Sequence, residues 1–99
     1  MKITFERSGG FAGTLMTTKV DTETLPTPEG GHLRQLMQAA NFFHLPAKIA
    51  PSHPQPDRFQ YKVTAEDNGQ HHTVQVSESA IPNQLRPLLN WLTEIARSQ

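Results

Sequence analysis

Two hairpin signals and two helical apolar stripes predict an α+β fold: a four-stranded antiparallel sheet, made of two hairpins, packed with two main helices. The first hairpin is signalled by strand-like runs at 2–7 and 14–22 on either side of a glycine-rich connection, Ser8-Gly9-Gly10-Phe11-Ala12-Gly13. The second is signalled by Asn68-Gly69 between two alternating runs, since both residues accept the positive φ of a type I′ turn. At 99 residues the chain forms one domain over 1–99, with no room for a second independent core.

Each element follows from local pattern. Ile3 and Phe5 alternate with Thr4 and Glu6, the period of a half-buried strand. The run 14–22 is rich in β-branched Thr and Val, with Leu15 on one face and Met16 and Val20 on the other. Leu25-Pro26-Thr27-Pro28-Glu29 then opens a helix, with Thr27 expected as N-cap, Pro28 in the first turn and Glu29 complementing the dipole. Gly30 and Gly31 weaken that first turn by roughly 1 kcal/mol each relative to Ala. Leu33, Leu36, Met37, Ala40 and Phe43 recur at helical spacing, and Pro46 is expected to end the helix.

The stretch 47–57, with Pro51, Pro54 and Pro56 around His53, is expected as an extended, proline-stiffened loop. Phe59, Tyr61, Val63 and Ala65 alternate with Gln60, Lys62, Thr64 and Glu66, the clearest strand in the chain. After Asn68-Gly69, His72, Val74 and Val76 form the returning strand. The last helix is expected mainly from Arg86, with Leu85, Leu88, Leu89, Leu92, Ile95 and Ala96 as its stripe and Trp91 at the edge, a second candidate for an exposed aromatic.

Composition excludes several function classes. Nine basic and nine acidic residues are scattered and sum to zero, which argues against nucleic acid, whose binding needs massed Lys and Arg. With no cysteine there is no disulfide staple, as suits a reducing compartment. The N-terminal residues 1–7 lack the apolar run of a signal peptide and no stretch could span a bilayer, so a cytoplasmic protein is expected.

Catalytic and metal-ligand patterns are missing too. His71 and His72 are adjacent on a strand and point to opposite faces, while His32, His44 and His53 are scattered, so neither a metal site nor a cofactor is expected. Ser8 lacks the strand–elbow–helix context of a catalytic serine, and the glycine loop has no following helix or P-loop lysine to hold phosphate. The chain is read as a non-enzyme. What remains conspicuous is the loop itself. Three of the six glycines lie in it beside a lone aromatic that turn geometry does not require. Phe11 either folds back as a plug on the core or is presented outward to a partner's pocket. A chain of this mass exposes roughly 5,600 Å² when folded. One standard interface of about 800 Å² per partner would therefore be a large share of the surface.

Taken together, several blocks resemble a known family. Ser8-Gly9-Gly10-Phe11-Ala12-Gly13 behind a short Ile/Phe strand is the most specific. Asp21-Thr22 and Leu25-Pro26 lead into a Leu-x-x-Leu-Met helix that closes with Asn41-Phe42-Phe43-His44-Leu45-Pro46. Asp57-Arg58-Phe59-Gln60-Tyr61, His72-Thr73-Val74, Leu85-Arg86-Pro87-Leu88-Leu89 and Ala96-Arg97 follow in order. The chain thus resembles, over essentially its whole length, the emfourin family: small bacterial cytoplasmic inhibitors of protealysin-like, thermolysin-type (M4) zinc metallopeptidases. The resemblance implies protein–protein inhibition with the zinc belonging to the peptidase. Thermolysin-like clefts favour a bulky apolar side chain just after the scissile bond, a pocket that Phe11 could fill. Ser8, Gly9, Gly10, Phe11, Ala12 and Gly13 are therefore the candidate binding residues, with His53 of the proline loop as a second contact. A non-inhibitory interaction or regulatory module with the same loop is the alternative. The protein is expected as a monomer, with a dimer through a free sheet edge as a further possibility.

Overall fold

The computed structural model describes residues 1–10, 13–53 and 58–98. Five strands and two helices follow one another: β1 Lys2–Gly9, β2 Thr14–Asp21, α1 Thr27–Ala40, β3 Lys48–Ile49, β4 Phe59–Asp67, β5 Gln70–Ser77 and α2 Arg86–Arg97. The strands form one sheet in the order β2-β1-β4-β5-β3. β1 is antiparallel to β2 on one side and to β4 on the other, and β4 is antiparallel to β5. The α+β class and the two hairpins are as the sequence predicts. The four-stranded antiparallel sheet is corrected to five strands and mixed pairing, because Lys48 and Ile49 run parallel to Gln75 and Val76 of β5. Two residues between Pro46 and Pro51 are too few to show an alternating pattern, so this strand is invisible from sequence.

Register makes the two faces of the sheet different. Ile3 stands in one row with Val20 and Ala65, and Phe5 with Thr18 and Val63. These residues, with Val74 and Val76, are buried, and Leu33, Met37, Leu88, Leu89 and Leu92 of the helices join them in one core. Both helices therefore cover the same face. The other face carries Thr4, Lys19, Thr64 and Thr73 in one row and Thr17, Glu6, Lys62 and Gln75 in the next. It is polar. At the turn, Asn68 and Gly69 have φ of 50° and 82°, as their pairing at the hairpin tip requires.

Helix α1 departs from expectation at both ends. Thr27 is its first residue rather than its cap: Pro26 holds the cap position and no side chain caps the first turn. The proline pair fixes φ on both sides of Thr27, so the start is set by backbone geometry and needs no hydroxyl cap. At the other end α1 stops at Ala40, not near Pro46. Asn41 takes the left-handed conformation at φ 52°, and its N–H donates to the carbonyls of Met37 and Gln38. Asn tolerates that region better than most residues. The chain then makes a 3-10 turn over Phe42–His44, which drops Phe42 into the core, edge-on to Phe43 and His72. Phe43 accordingly belongs to this turn and packs half-buried against the core.

The two glycines in α1 differ. A Cβ on Gly30 would lie 3.1 Å from the carbonyl oxygen of Thr22, whereas one on exposed Gly31 would meet nothing within 4 Å. Gly31→Ala is expected to stabilise the fold by about 1 kcal/mol, a rise in melting midpoint of about 4–8 °C for a domain of this size. Gly30→Ala should gain less or lose stability. Thermal denaturation of the two variants checks this, and an equal rise in both would refute the close approach at Thr22.

Candidate functional site

The end of the sheet that carries the glycine-rich connection is built from backbone geometry. Gly9 ends β1 with φ 91°, Gly10 follows at 76°, and Gly13 precedes β2 at 62°. The N–H of Gly13 donates to the carbonyl of Gly10 at 3.2 Å, which ties the two ends of the connection together. The N–H of Gly10 in turn donates to the carbonyl of Arg58 at 3.4 Å, extending the β1–β4 ladder one step past the strand. Gly9 and Gly10 owe their identity to more than φ. A Cβ on Gly9 would stand 3.1 Å from the Arg58 oxygen, and one on Gly10 would stand 2.6 Å from Cε1 of Phe59.

Phe59 is the support under this end. Its ring lies against Gly10 on one side and receives the Arg7 guanidinium at 4.2 Å from its centre. A cation over a ring face is favourable, and a half-buried setting strengthens it. The N–H of Phe59 donates to Oε1 of Glu78 at 3.0 Å, so backbone and ring are both fixed. A surface pocket of about 260 Å³ opens beside it, between Arg7, Phe59 and Tyr61 and the α2 residues Thr93, Glu94 and Arg97.

Of the predicted site residues, the structure brings Ser8, Gly9, Gly10 and Gly13 together at this end. Ser8 is half-buried on the polar face, in a row with Leu15 and Gln60. Phe11 and Ala12 lie outside the described residues, and with them the choice between an inward and an outward Phe11. His53 is exposed and takes no part in the contacts that build the loop's base. Arg58, the first described residue after the proline stretch, does meet Gly10. Sequence reasoning missed two participants. Phe59 was legible as a sheet residue but not as the surface that excludes a Cβ from Gly10. Leu15 was placed on the face opposite Met16 and Val20, and it proves to be 66% exposed, the one large apolar side chain so exposed among the described residues.

The other histidines make contacts elsewhere in the fold. His72 is half-buried with Nε2 at 2.7 Å from the carbonyl oxygen of Leu45, whereas His71 is exposed on the opposite face. His32 packs edge-on to Trp91, which is half-buried rather than presented to solvent. Among the described residues no three His, Cys, Asp or Glu side chains are grouped to hold a metal ion. Their buried side-chain N and O atoms all have hydrogen-bond partners, so no orphaned polar group marks a hidden site. Among the described residues no helix is long and apolar enough to cross a membrane.

Fold and site thus define a small α+β protein in which Gly10 is tied to Gly13 and to Arg58 at one end of the sheet. The Emfourin family model matches residues 5–93, from within β1 to within α2, and the chain belongs to that family. No curated protein and no solved structure matches it.

The loop base predicts an order of sensitivity. Alanine at Gly13 is expected to meet the left-handed backbone cost, about 1–2 kcal/mol, because among the described residues nothing beyond its chain neighbours lies within 4 Å of a Cβ there. Gly10→Ala adds a collision with the Phe59 ring and should destabilise further. Urea denaturation of both variants checks the order, and equal losses would show that Phe59 yields freely.

Proposed function

We propose that this chain is a proteinaceous inhibitor of thermolysin-like (M4, protealysin-type) zinc metallopeptidases that blocks the active-site cleft with the Phe11 loop. The observation that carries this reading is the Emfourin family match over residues 5–93, which spans the whole candidate site. Inhibition asks for no chemistry from the chain itself; the zinc and the catalytic groups are the peptidase's. A single-domain, cytoplasmic, monomeric, non-enzymatic protein without a cofactor suits that role.

The site's construction is compatible. An inhibitor loop gains affinity when its conformation is set before binding, because the ordering cost has been met on folding. Here the Gly13–Gly10 and Gly10–Arg58 hydrogen bonds and the Phe59 ring set the base. Residues Ser8, Gly9, Gly10, Phe11, Ala12 and Gly13 are the proposed contact, with Phe11 as the apolar anchor and His53 as a flanking one. Burying one Phe contributes about 1.5–3 kcal/mol, against roughly 12 kcal/mol for a nanomolar complex. Flanking surface must supply the larger part. With net charge zero, the chain has no monopole to steer it, so salt should affect its association little.

The test is titration of the purified protein into a protealysin- or thermolysin-type peptidase while cleavage of a short peptide is followed. Stoichiometric loss of activity that added zinc does not reverse is expected, which separates cleft blocking from chelation. Phe11→Ala should then weaken inhibition by about tenfold or more, each decade being about 1.4 kcal/mol. An unchanged inhibition constant in a folded variant removes Phe11 as the anchor. No inhibition of several such peptidases by the unaltered protein removes the function and leaves an interaction module for another partner.

A further inference from the structure

The hydrogen-bond pattern of β1 fixes which groups of β2 face outward. The N–H of Thr22 donates to the carbonyl of Met1 at 2.9 Å, and these residues are directly opposed when the β1–β2 register is continued by one step. Directly bonded pairs alternate along an antiparallel ladder. Val20, Thr18, Met16 and Thr14 therefore turn their backbone groups towards β1, and Leu15, Thr17 and Lys19 turn theirs away. β2 is an edge strand of the sheet, so those outward groups meet no neighbouring strand. β2 contains no proline, so each outward residue has an N–H to give. Exposed edges of this kind are templates for a further strand, and natural proteins usually blunt them.

A second feature falls on the same three residues. Their side chains lie on the polar face, where Leu15 stands out as a large apolar group exposed to 66% among Thr, Lys, Glu and Gln neighbours. Leu15 follows Gly13 by only about 7 Å of extended chain. A partner that engages the glycine loop meets Leu15 and the outward edge next. One established way for extended polypeptide to be bound is as an added strand, with main-chain bonds for affinity and pockets for alternate side chains.

On the reading of this chain as a peptidase inhibitor, we propose that the outer edge of β2 is the second half of the inhibitory surface. It pairs as a strand with an extended edge segment of the peptidase, the N–H and C=O groups of Leu15, Thr17 and Lys19 forming the ladder and the Leu15 side chain filling an apolar pocket. β1 holds the other edge of β2 over all eight residues, so the strand enters already ordered.

The experiment measures inhibition constants for the full chain and for Leu15→Ala and Thr17→Pro, with circular dichroism and melting of each. Proline at Thr17 deletes an outward N–H without touching the β1 ladder, a position where strands tolerate it. Lys62→Ala, in the middle of the polar face, is the control. The proposal expects both edge variants to lose inhibition by about tenfold or more with near-native melting, and the control to inhibit like the unaltered chain. Lys19→Pro makes the same test if Thr17→Pro does not fold. Edge variants that are folded and inhibit normally would overturn the edge while leaving the inhibitor reading intact. An unaltered chain that inhibits no such peptidase would overturn both. A concentration-dependent dimer in solution that Thr17→Pro abolishes would assign the edge to a second copy and overturn the proposal.

Discussion

Strand β1 is the constraint on which the rest of the molecule depends. It is paired along its full eight residues on both sides, with β2 and with β4. Odd-numbered residues bond to β2 and even-numbered ones to β4, so its backbone groups are used up in two directions at once. The same parity sends Ile3 and Phe5 into the core and Thr4 and Glu6 to the polar face. A slip of one residue would bury a glutamate and expose a phenylalanine, so register is strongly specified. From that single alignment follow the position of the glycine connection at the strand's end, the row that brings Phe59 beside Gly9, and the outward groups of β2.

How much of this was legible depends on whether the cause was local. The alternation from Phe59 to Ala65 and the Asn68-Gly69 turn state their structure within a few residues, and both are found as read. The stripe of α1 was legible, but its end was not. Pro46 is the louder stop signal, yet Asn41 ends the helix a turn and a half earlier, because a left-handed residue there lets Phe42 reach the core between Phe43 and His72. That reason lies in tertiary packing. β3 was hidden for the same kind of reason: nothing in Lys48-Ile49 asks for a strand until the edge of β5 is present to pair with.

The candidate site divides along the same line. Glycines in a short connection announce unusual φ, and Gly9, Gly10 and Gly13 all have it. Nothing nearby in sequence announces that Gly10 must also lack a Cβ because a ring forty-nine positions later occupies the space. Gly9 and Gly10 therefore do two jobs, turning the chain and admitting Phe59 and Arg58, whereas Gly13 does the first only. The exposed Leu15 was placed on the correct face from alternation, but its exposure became visible only once the polar neighbours in its row were known.

The opposite end of the sheet is built differently from the loop end. There a pocket of about 250 Å³ is bordered by Met1, Arg34, Phe43 and Asp67. Arg34 lies 3.8 Å from both Glu23 and Asp67 and donates to Thr22 at 3.2 Å, so its charge is already answered from within the chain. The Arg34–Glu23 pair is exposed and contributes little to stability, but a ligand would have to displace both pairs. At the loop end the balance is reversed. The Arg7, Phe59 and Glu78 contacts act on the support beneath the loop, and the outward edge of β2 offers groups that no neighbouring strand answers. Internal pairing around Arg34 at one end thus contrasts with an outer edge of β2 that runs unpaired along the sheet from Leu15 to Lys19.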